Sequence, residues 1–193
     1  MARSQDEILD MFKQSGAFLE GHFVLTSGLH SPHYVEKFRV LEFPVLTEQL
    51  CAEFAAQWGE QRPTVVLGPA TGGIILAHET AKQLNCRAMF TERVDGKMEL
   101  RRGFRITSED RVLLVEDVVT TGGSVFEVLD CARATGATIL GLAYLVDRSG
   151  GNVDFGIPAH ALMTLDVVTW KPEDCPLCRD GMEIRKPGRS GKK

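Results

Sequence analysis

The sequence predicts an α/β fold with a central parallel sheet flanked by helices, and three observations predict it. Residues 64–67, 111–115 and 138–146 are apolar, β-branched runs of the kind found in strands buried on both faces. The first two lead through glycine-rich turns into helical stretches, 74–84 and 124–134, each followed by a residue suited to left-handed backbone, Asn85 and Gly136. Strand and helix therefore alternate, as they do where crossover helices join parallel strands.

The remaining elements follow in order. Ser4 and Glu7 have the spacing of a capping box, and Ile8, Leu9 and Phe12 recur at helical spacing until Ser15 and Gly16, which predicts a short amphipathic helix. Residues 23–26 and 34–38 read as two strands around Ser27 and Gly28. Leu46, Leu50, Phe54 and Trp58 mark a second helix closed by Gly59, with Phe54 and Trp58 in the core. A strand over 87–91 opens the polar segment 92–110, which carries Arg93, Lys97, Arg101, Arg102 and Arg105 without a clear period. It reads as a long mobile loop or hairpin, and loops of that length inside a compact domain are usually functional. No internal repeat or linker divides the chain. Residues 1–185 read as one domain and 186–193 as a disordered basic tail.

Composition narrows the function. With 193 residues, 44% hydrophobic and 25% charged, the chain suits an ordinary globular domain that needs no disulfide or metal for stability. Lys and Arg number 22 against 26 Asp and Glu, and five of the bases lie in the last nine residues, so a nucleic-acid binder with a large basic face is disfavoured. No apolar run approaches the roughly 18 residues of a membrane helix. Five scattered cysteines point to reduced thiols and a cytoplasmic protein. Cys175 and Cys178 have the spacing of half a zinc site, yet one such pair reads first as two reduced thiols; a zinc shared across a dimer and a redox couple are the alternatives. His22, His30, His33, His78 and His160 show no metal-ligand spacing, and His78 reads as an ordinary helix residue.

Chemistry concentrates in one stretch. The run 112–115 is followed by two acids, Glu116 and Asp117, then Val118, Val119, Thr120, Thr121, Gly122, Gly123 and Ser124 at the start of a helix. In an open α/β sheet, ligands bind at the carboxyl ends of strands. Glycines there let backbone N–H groups approach a ligand, and with the hydroxyls and the free N–H groups of a first helical turn they wrap a phosphate monoester. The loop lacks the Gly-Lys-Ser/Thr of a nucleotide P-loop and the Gly-x-Gly-x-x-Gly of a dinucleotide fold. Two acids beside a phosphate site accept hydrogen bonds from a ribose diol or engage a magnesium ion held mainly by substrate oxygens. A solvated strand-end turn is the plain alternative.

These residues resemble the phosphoribosyl-diphosphate (PRPP) signature of the type I phosphoribosyltransferases. Over about residues 8–180 the chain is most similar to the orotate phosphoribosyltransferases, through Gly16 to Pro32, the turn Gly68-Pro69-Ala70-Thr71-Gly72-Gly73, and Val146 to Gly151. The resemblance implies a small N-terminal hood, mainly 1–40 with the C-terminal segment 160–185, and a mobile lid loop. It implies magnesium-dependent transfer of 5-phosphoribosyl from PRPP to orotate, giving orotidine 5′-phosphate and pyrophosphate in pyrimidine biosynthesis. Glu116 and Asp117 then hold the ribose hydroxyls and Val118 to Ser124 enclose the 5-phosphate, while Ala70, Thr71, Gly72 and Gly73 meet pyrophosphate. Arg148 pairs with the orotate carboxylate, with Thr120, Ser27, Gly28 and Tyr34 lining the pyrimidine. Arg93 and Lys97 are the lid candidates for pyrophosphate, Lys97 with Glu116 and Asp117 counting as catalytic, although the family's usual lid pattern is altered here. Magnesium has no dedicated protein ligand set. A homodimer is implied, its lid reaching the neighbouring site. A phosphoribosyltransferase for another base, and a non-catalytic PRPP-sensing regulator, remain alternatives.

Overall fold

The computed structural model describes residues 3–25 and 27–186; Thr26, the end of a predicted strand, and 187–193 of the predicted tail lie outside the described residues. Helix α1 (Gln5–Gln14) starts with the expected capping box: Ser4 Oγ accepts from the Glu7 N–H at 3.3 Å, and the Ser4 N–H donates to Glu7 Oε2 at 2.7 Å. Strands β1 (Phe18–Val24) and β2 (His30–Val35) pair antiparallel, and the short β9 (Ile184–Arg185) adds to β1 in parallel, making a three-stranded sheet. The strand predicted over 34–38 stops short of its expected end. It ends at Val35, and the chain turns at Lys37 into α2 (Phe38–Leu41). The first strand starts five residues earlier than expected, because its polar residues and a bulge between Glu20 and Phe23 hide the alternation.

After α3 (Pro44–Trp58), the main sheet is built from β3 (Val65–Pro69), α4 (Gly72–Leu84), β4 (Arg87–Val94), β5 (Lys97–Leu100), β6 (Arg111–Val119), α5 (Gly123–Arg133), β7 (Thr138–Asp147) and β8 (Ala159–Thr164); α6 (Pro176–Arg179) follows. Strand order is β5-β4-β3-β6-β7-β8, parallel throughout except for the β4–β5 hairpin. The predicted fold class is therefore observed. The segment after Thr91 takes the hairpin form: β4 and β5 join through Asp95 and Gly96, both at positive φ as a tight hairpin turn requires.

Alternate residues of the buried strands serve opposite faces. Val66, Leu113 and Val115 meet α1, α3 and α4 through Phe12, Leu50, Phe54, Trp58 and Leu76. Val65, Leu67, Val112 and Leu114 meet α5 through Val125, Val128 and Leu129. Gly141 in β7 admits Trp58, since a Cβ there would lie 2.0 Å from the indole. The crossover from β3 runs to β4 on one side and that from β6 to β7 on the other. The adjacent carboxyl ends of β3 and β6 thus form the crevice where open α/β sheets bind ligands.

Candidate functional site

Both glycine-rich turns open into that crevice. The turn from Gly68 to Gly73 folds back on itself so tightly that a Cβ on Gly68 would lie 2.5 Å from the Gly73 carbonyl oxygen. Gly72 packs against the acid pair, and a Cβ there would sit 1.9 Å from Asp117 Oδ2. Neither α4 nor α5 has a side-chain cap at its N-terminus, so first-turn N–H groups of both helices remain available for an anion. Gly122 holds a left-handed conformation at φ 76°, with Phe155 and Val153 packed so closely that a Cβ would meet them at 2.8 and 2.9 Å.

The acids that end β6 are buried: Glu116 is 4% and Asp117 3% exposed. Glu116 Oε1 accepts from the Asp117 N–H at 2.9 Å, and Oε2 accepts from Ser124 Oγ at 2.7 Å. Asp117 Oδ1 accepts from the Val118 N–H at 2.7 Å, and Oδ2 pairs with Lys37 Nζ at 2.6 Å. Burial, reinforced by the Asp117 charge, pushes the Glu116 carboxyl up to about 7 against the pull of its two hydrogen bonds.

A cleft of about 640 Å³ lies beside this pair, within the usual size of a small-molecule site. Of the predicted residues it is lined by Ser27, Tyr34, Val118, Thr120, Thr121 and Arg148. Gly28, at φ 83°, turns the β1–β2 connection that carries Ser27. Arg148 is positioned by backbone: its N–H donates to the Val119 carbonyl at 2.8 Å, and the buried Asp147 accepts from Ser149 N–H and Oγ and from the Gly151 N–H. Asp147 is thus occupied by its own loop. Arg148 Nε is buried with no hydrogen-bond partner among the described residues, and burial lowers the affinity of its guanidinium for its proton. An unmatched buried donor on a cation is costly unless a ligand meets it, and a carboxylate matches a guanidinium fork.

Other predicted residues sit apart from the cleft. Arg93 pairs with Glu127 of α5 at 2.9 Å and donates to the Gly96 carbonyl at 2.6 Å, while Lys97 pairs in register with Val94 beside the hairpin turn. Lys37, which also lines the cleft, was absent from the sequence prediction. Its signal was weak: reading 34–38 as a continuous strand gives Lys37 no reason to turn toward Asp117, and only the helical backbone at Lys37 brings it there. The histidine spacing also misled, because His22 and His30 lie together with Cys175 and Cys178.

The family model described as Phosphoribosyl transferase domain matches residues 45–171. An orotate phosphoribosyltransferase of Caldicellulosiruptor bescii is 49% identical over 185 residues, 96% of this chain and 97% of that protein. One from Heliobacterium modesticaldum is 51% identical over 187 residues, 96% and 98% of the respective chains. The crystal structure of orotate phosphoribosyltransferase from Aeropyrum pernix is similar with a TM-score of 0.69 at 28% identity, covering 82% of this chain and 93% of that one.

Proposed function

The chain belongs to the orotate phosphoribosyltransferases within the phosphoribosyl transferase domain family, and from that membership we propose that it transfers 5-phosphoribosyl from PRPP to N1 of orotate, releasing pyrophosphate. The observation that carries the choice of base is Arg148, a half-buried guanidinium with an unpartnered Nε on the wall of the cleft, fit for the carboxylate that distinguishes orotate from uracil and purines.

The chain's groups divide the work. The uncapped start of α5, with Thr120, Thr121, Gly122, Gly123 and Ser124, encloses the 5-phosphate. Glu116 and Asp117 accept hydrogen bonds from the ribose hydroxyls, which displace Ser124 and Lys37 as their partners. The turn from Ala70 to Gly73, at the start of α4, meets pyrophosphate through backbone N–H groups, and Lys37 stands near enough to Asp117 to follow the charge that develops there. As the bond from the anomeric carbon to pyrophosphate breaks, orotate N1 forms the new bond on the opposite face with inversion. Alignment of the two reactants and neutralisation of the leaving group supply most of the acceleration. Tyr34 and Ser27 hold the pyrimidine in the plane that attack needs.

Oxygen donors at the strand end suit Mg2+, although the lone pairs of Glu116 and Asp117 are largely engaged by Ser124, Lys37 and backbone N–H groups; these acids would touch a cation resting chiefly on PRPP oxygens. Bound there, Mg2+ would offset the charge of the departing pyrophosphate. Arg93 and Lys97 join the site only if the hairpin moves and Arg93 leaves Glu127. We read residues 1–185 as one domain, with the sheet β2-β1-β9 as its hood. A homodimer is supported by exposed Phe38, Phe43, Val45 and Ile75 at α2, α3 and α4. The free thiols of Cys51, Cys86 and Cys131 support a cytoplasmic setting.

An orotate-depletion assay with PRPP and Mg2+, run with and without chelator and with hypoxanthine, adenine and uracil as competing acceptors, tests the reading. Turnover of orotate alone, abolished by chelator, is expected. Turnover of another base overturns the choice of substrate, and PRPP binding without turnover of any base overturns catalysis.

A further inference from the structure

In the hood, four side chains of metal-binding type converge on one point. His22 of β1, His30 of β2, and Cys175 and Cys178 at the start of α6 each present one ligand atom, and all four atoms lie within 4.8 Å of one another. His22, His30 and Cys175 are buried and Cys178 is half-buried. We infer that this cluster is a structural Zn2+ site, closed by His22 Nε2, His30 Nδ1, Cys175 Sγ and Cys178 Sγ of one chain.

The distances have the scale of a tetrahedron around zinc. Bonds of about 2.3 Å to sulfur and about 2.0 Å to nitrogen place neighbouring sulfur and nitrogen ligands roughly 3.5 Å apart. The observed separations are 3.5 Å for Cys175 Sγ to His22 Nε2, 3.7 Å for Cys178 Sγ to the same nitrogen, and 3.3 Å for Cys178 Sγ to His30 Nδ1. The two nitrogens, 2.7 Å apart, need to spread by roughly 0.6 Å to reach a tetrahedral edge. The remaining His22 nitrogen, Nδ1, lies 2.9 Å from the Met182 carbonyl oxygen, to which it donates. That bond fixes the tautomer and leaves the Nε2 lone pair aimed into the cluster, as the outer partner of a zinc-bound histidine does. Two thiolates and two imidazoles in a closed, buried set select zinc over harder cations.

The site joins distant parts of the chain. His22 and His30 flank the β1–β2 connection that bears Ser27 and Gly28, and the C-terminal ligands come from beyond β8. Zinc would therefore pin the C-terminal segment to the hairpin whose tip lines the cleft. It acts by holding that loop in place, outside the reaction itself.

Metal content tests this directly. Untagged protein from zinc-replete culture, desalted under reducing conditions, is expected to hold about one zinc per chain, with X-ray absorption showing two sulfurs at about 2.3 Å and two nitrogens at about 2.0 Å. A Cys175→Ala/Cys178→Ala variant should lose at least about nine-tenths of the metal, whereas Cys131→Ser should retain it. Wild-type protein stripped of metal should melt at a lower temperature and recover with Zn2+ but not with Mg2+. The inference is overturned if the reduced wild-type chain carries no zinc and takes up none from stoichiometric Zn2+, if the absorption shell differs from two sulfurs and two nitrogens, or if Cys175 and Cys178 isolate as a disulfide without metal. The wild-type measurements decide the matter even where the double variant does not fold.

Discussion

Replacing Glu116 with Gln should make the ligand-free protein more stable at high pH while weakening its hold on PRPP. Gln keeps the local bonds, since its carbonyl can accept from the Asp117 N–H and its amide can donate to Ser124 Oγ. What it removes is a charge. The Glu116 carboxyl rises from 4.5 to about 7 in the fold, so between those values the folded state binds a proton that the unfolded state does not. Folding stability from this group is then fully present below pH 4.5 and drains away as pH rises through 7. At about 1.4 kcal/mol per pH unit the full shift corresponds to roughly 3 kcal/mol, and coupling to Asp117 and Lys37 brings the expected difference to about 1–3 kcal/mol. Urea unfolding of both proteins at pH 5, 6, 7 and 8 measures it: the advantage of E116Q should grow from pH 5 to pH 7 and level off toward pH 8. The same titration should make the wild-type KM for PRPP fall as pH rises through 7, because only the carboxylate accepts two hydrogen bonds from ribose. Parallel stability curves for the two proteins would refute the assignment of a raised pKa to a buried, charge-coupled Glu116.

Other substitutions examine the remaining parts of the site. Arg148→Ala should raise the KM for orotate by about 10- to 100-fold, the loss of a charge-assisted bond pair, with the KM for PRPP nearly unchanged; steady-state kinetics in which both rise equally would point instead to a folding defect. Gly72→Ala forces a methyl group into the place of Asp117 Oδ2, so PRPP affinity measured by calorimetry should fall at least about tenfold with little change for orotate. Lys37→Met leaves Asp117 buried without its cation and should cost about 1–3 kcal/mol in urea unfolding, less than a fully buried pair because Lys37 is one-third exposed. Asp110, pushed up by burial but pulled down more strongly by Thr107, Arg87 and Thr64 to about 2, gives stability that is present above pH 3.8 and is lost as pH falls toward 2. Asp110→Asn should therefore flatten the acid limb of the unfolding curve.

The parts of this molecule that could be read from sequence are those whose causes are local. Buried parallel strands announce themselves because both faces are apolar, so 111–115 and 138–146 fall within β6 and β7, and 64–67 overlaps β3 from Val65 onward. Ser4 and Glu7 fix the start of α1 within one turn, and the left-handed residues Asn85 and Gly136 follow α4 and α5 as expected. The acid pair and its glycine loop were legible for the same reason. Edge strands were not: β8 has mixed exposure that hides the alternation, and the two-residue β9 depends on a pairing partner, β1, far along the chain. Lys37 meets Asp117 across 80 positions, and the His22–His30 pair meets Cys175 and Cys178 across about 150, so no spacing rule within a short window connects them.

That distinction also explains how an acidic chain can serve two anionic substrates. Net charge is −4, but charge acts through distance and burial, and a Debye length of about 8 Å screens most surface acids from the cleft. Inside that radius stand Lys37 and Arg148, both lining the cleft, and the uncapped starts of α4 and α5 face the same crevice. The nearest acids are already matched: Asp117 by Lys37, Asp147 by its own loop, and Glu116 by the Asp117 N–H and the Ser124 hydroxyl, with burial leaving its carboxyl only partly ionised near pH 7. If ribose hydroxyls take over as partners of the acid pair, as proposed above, Lys37 becomes free to meet an anion beside Asp117. On that reading the ion pair holds a positive charge in reserve, and inorganic phosphate, which brings no ribose hydroxyls, should bind more weakly than a sugar phosphate in a calorimetric comparison.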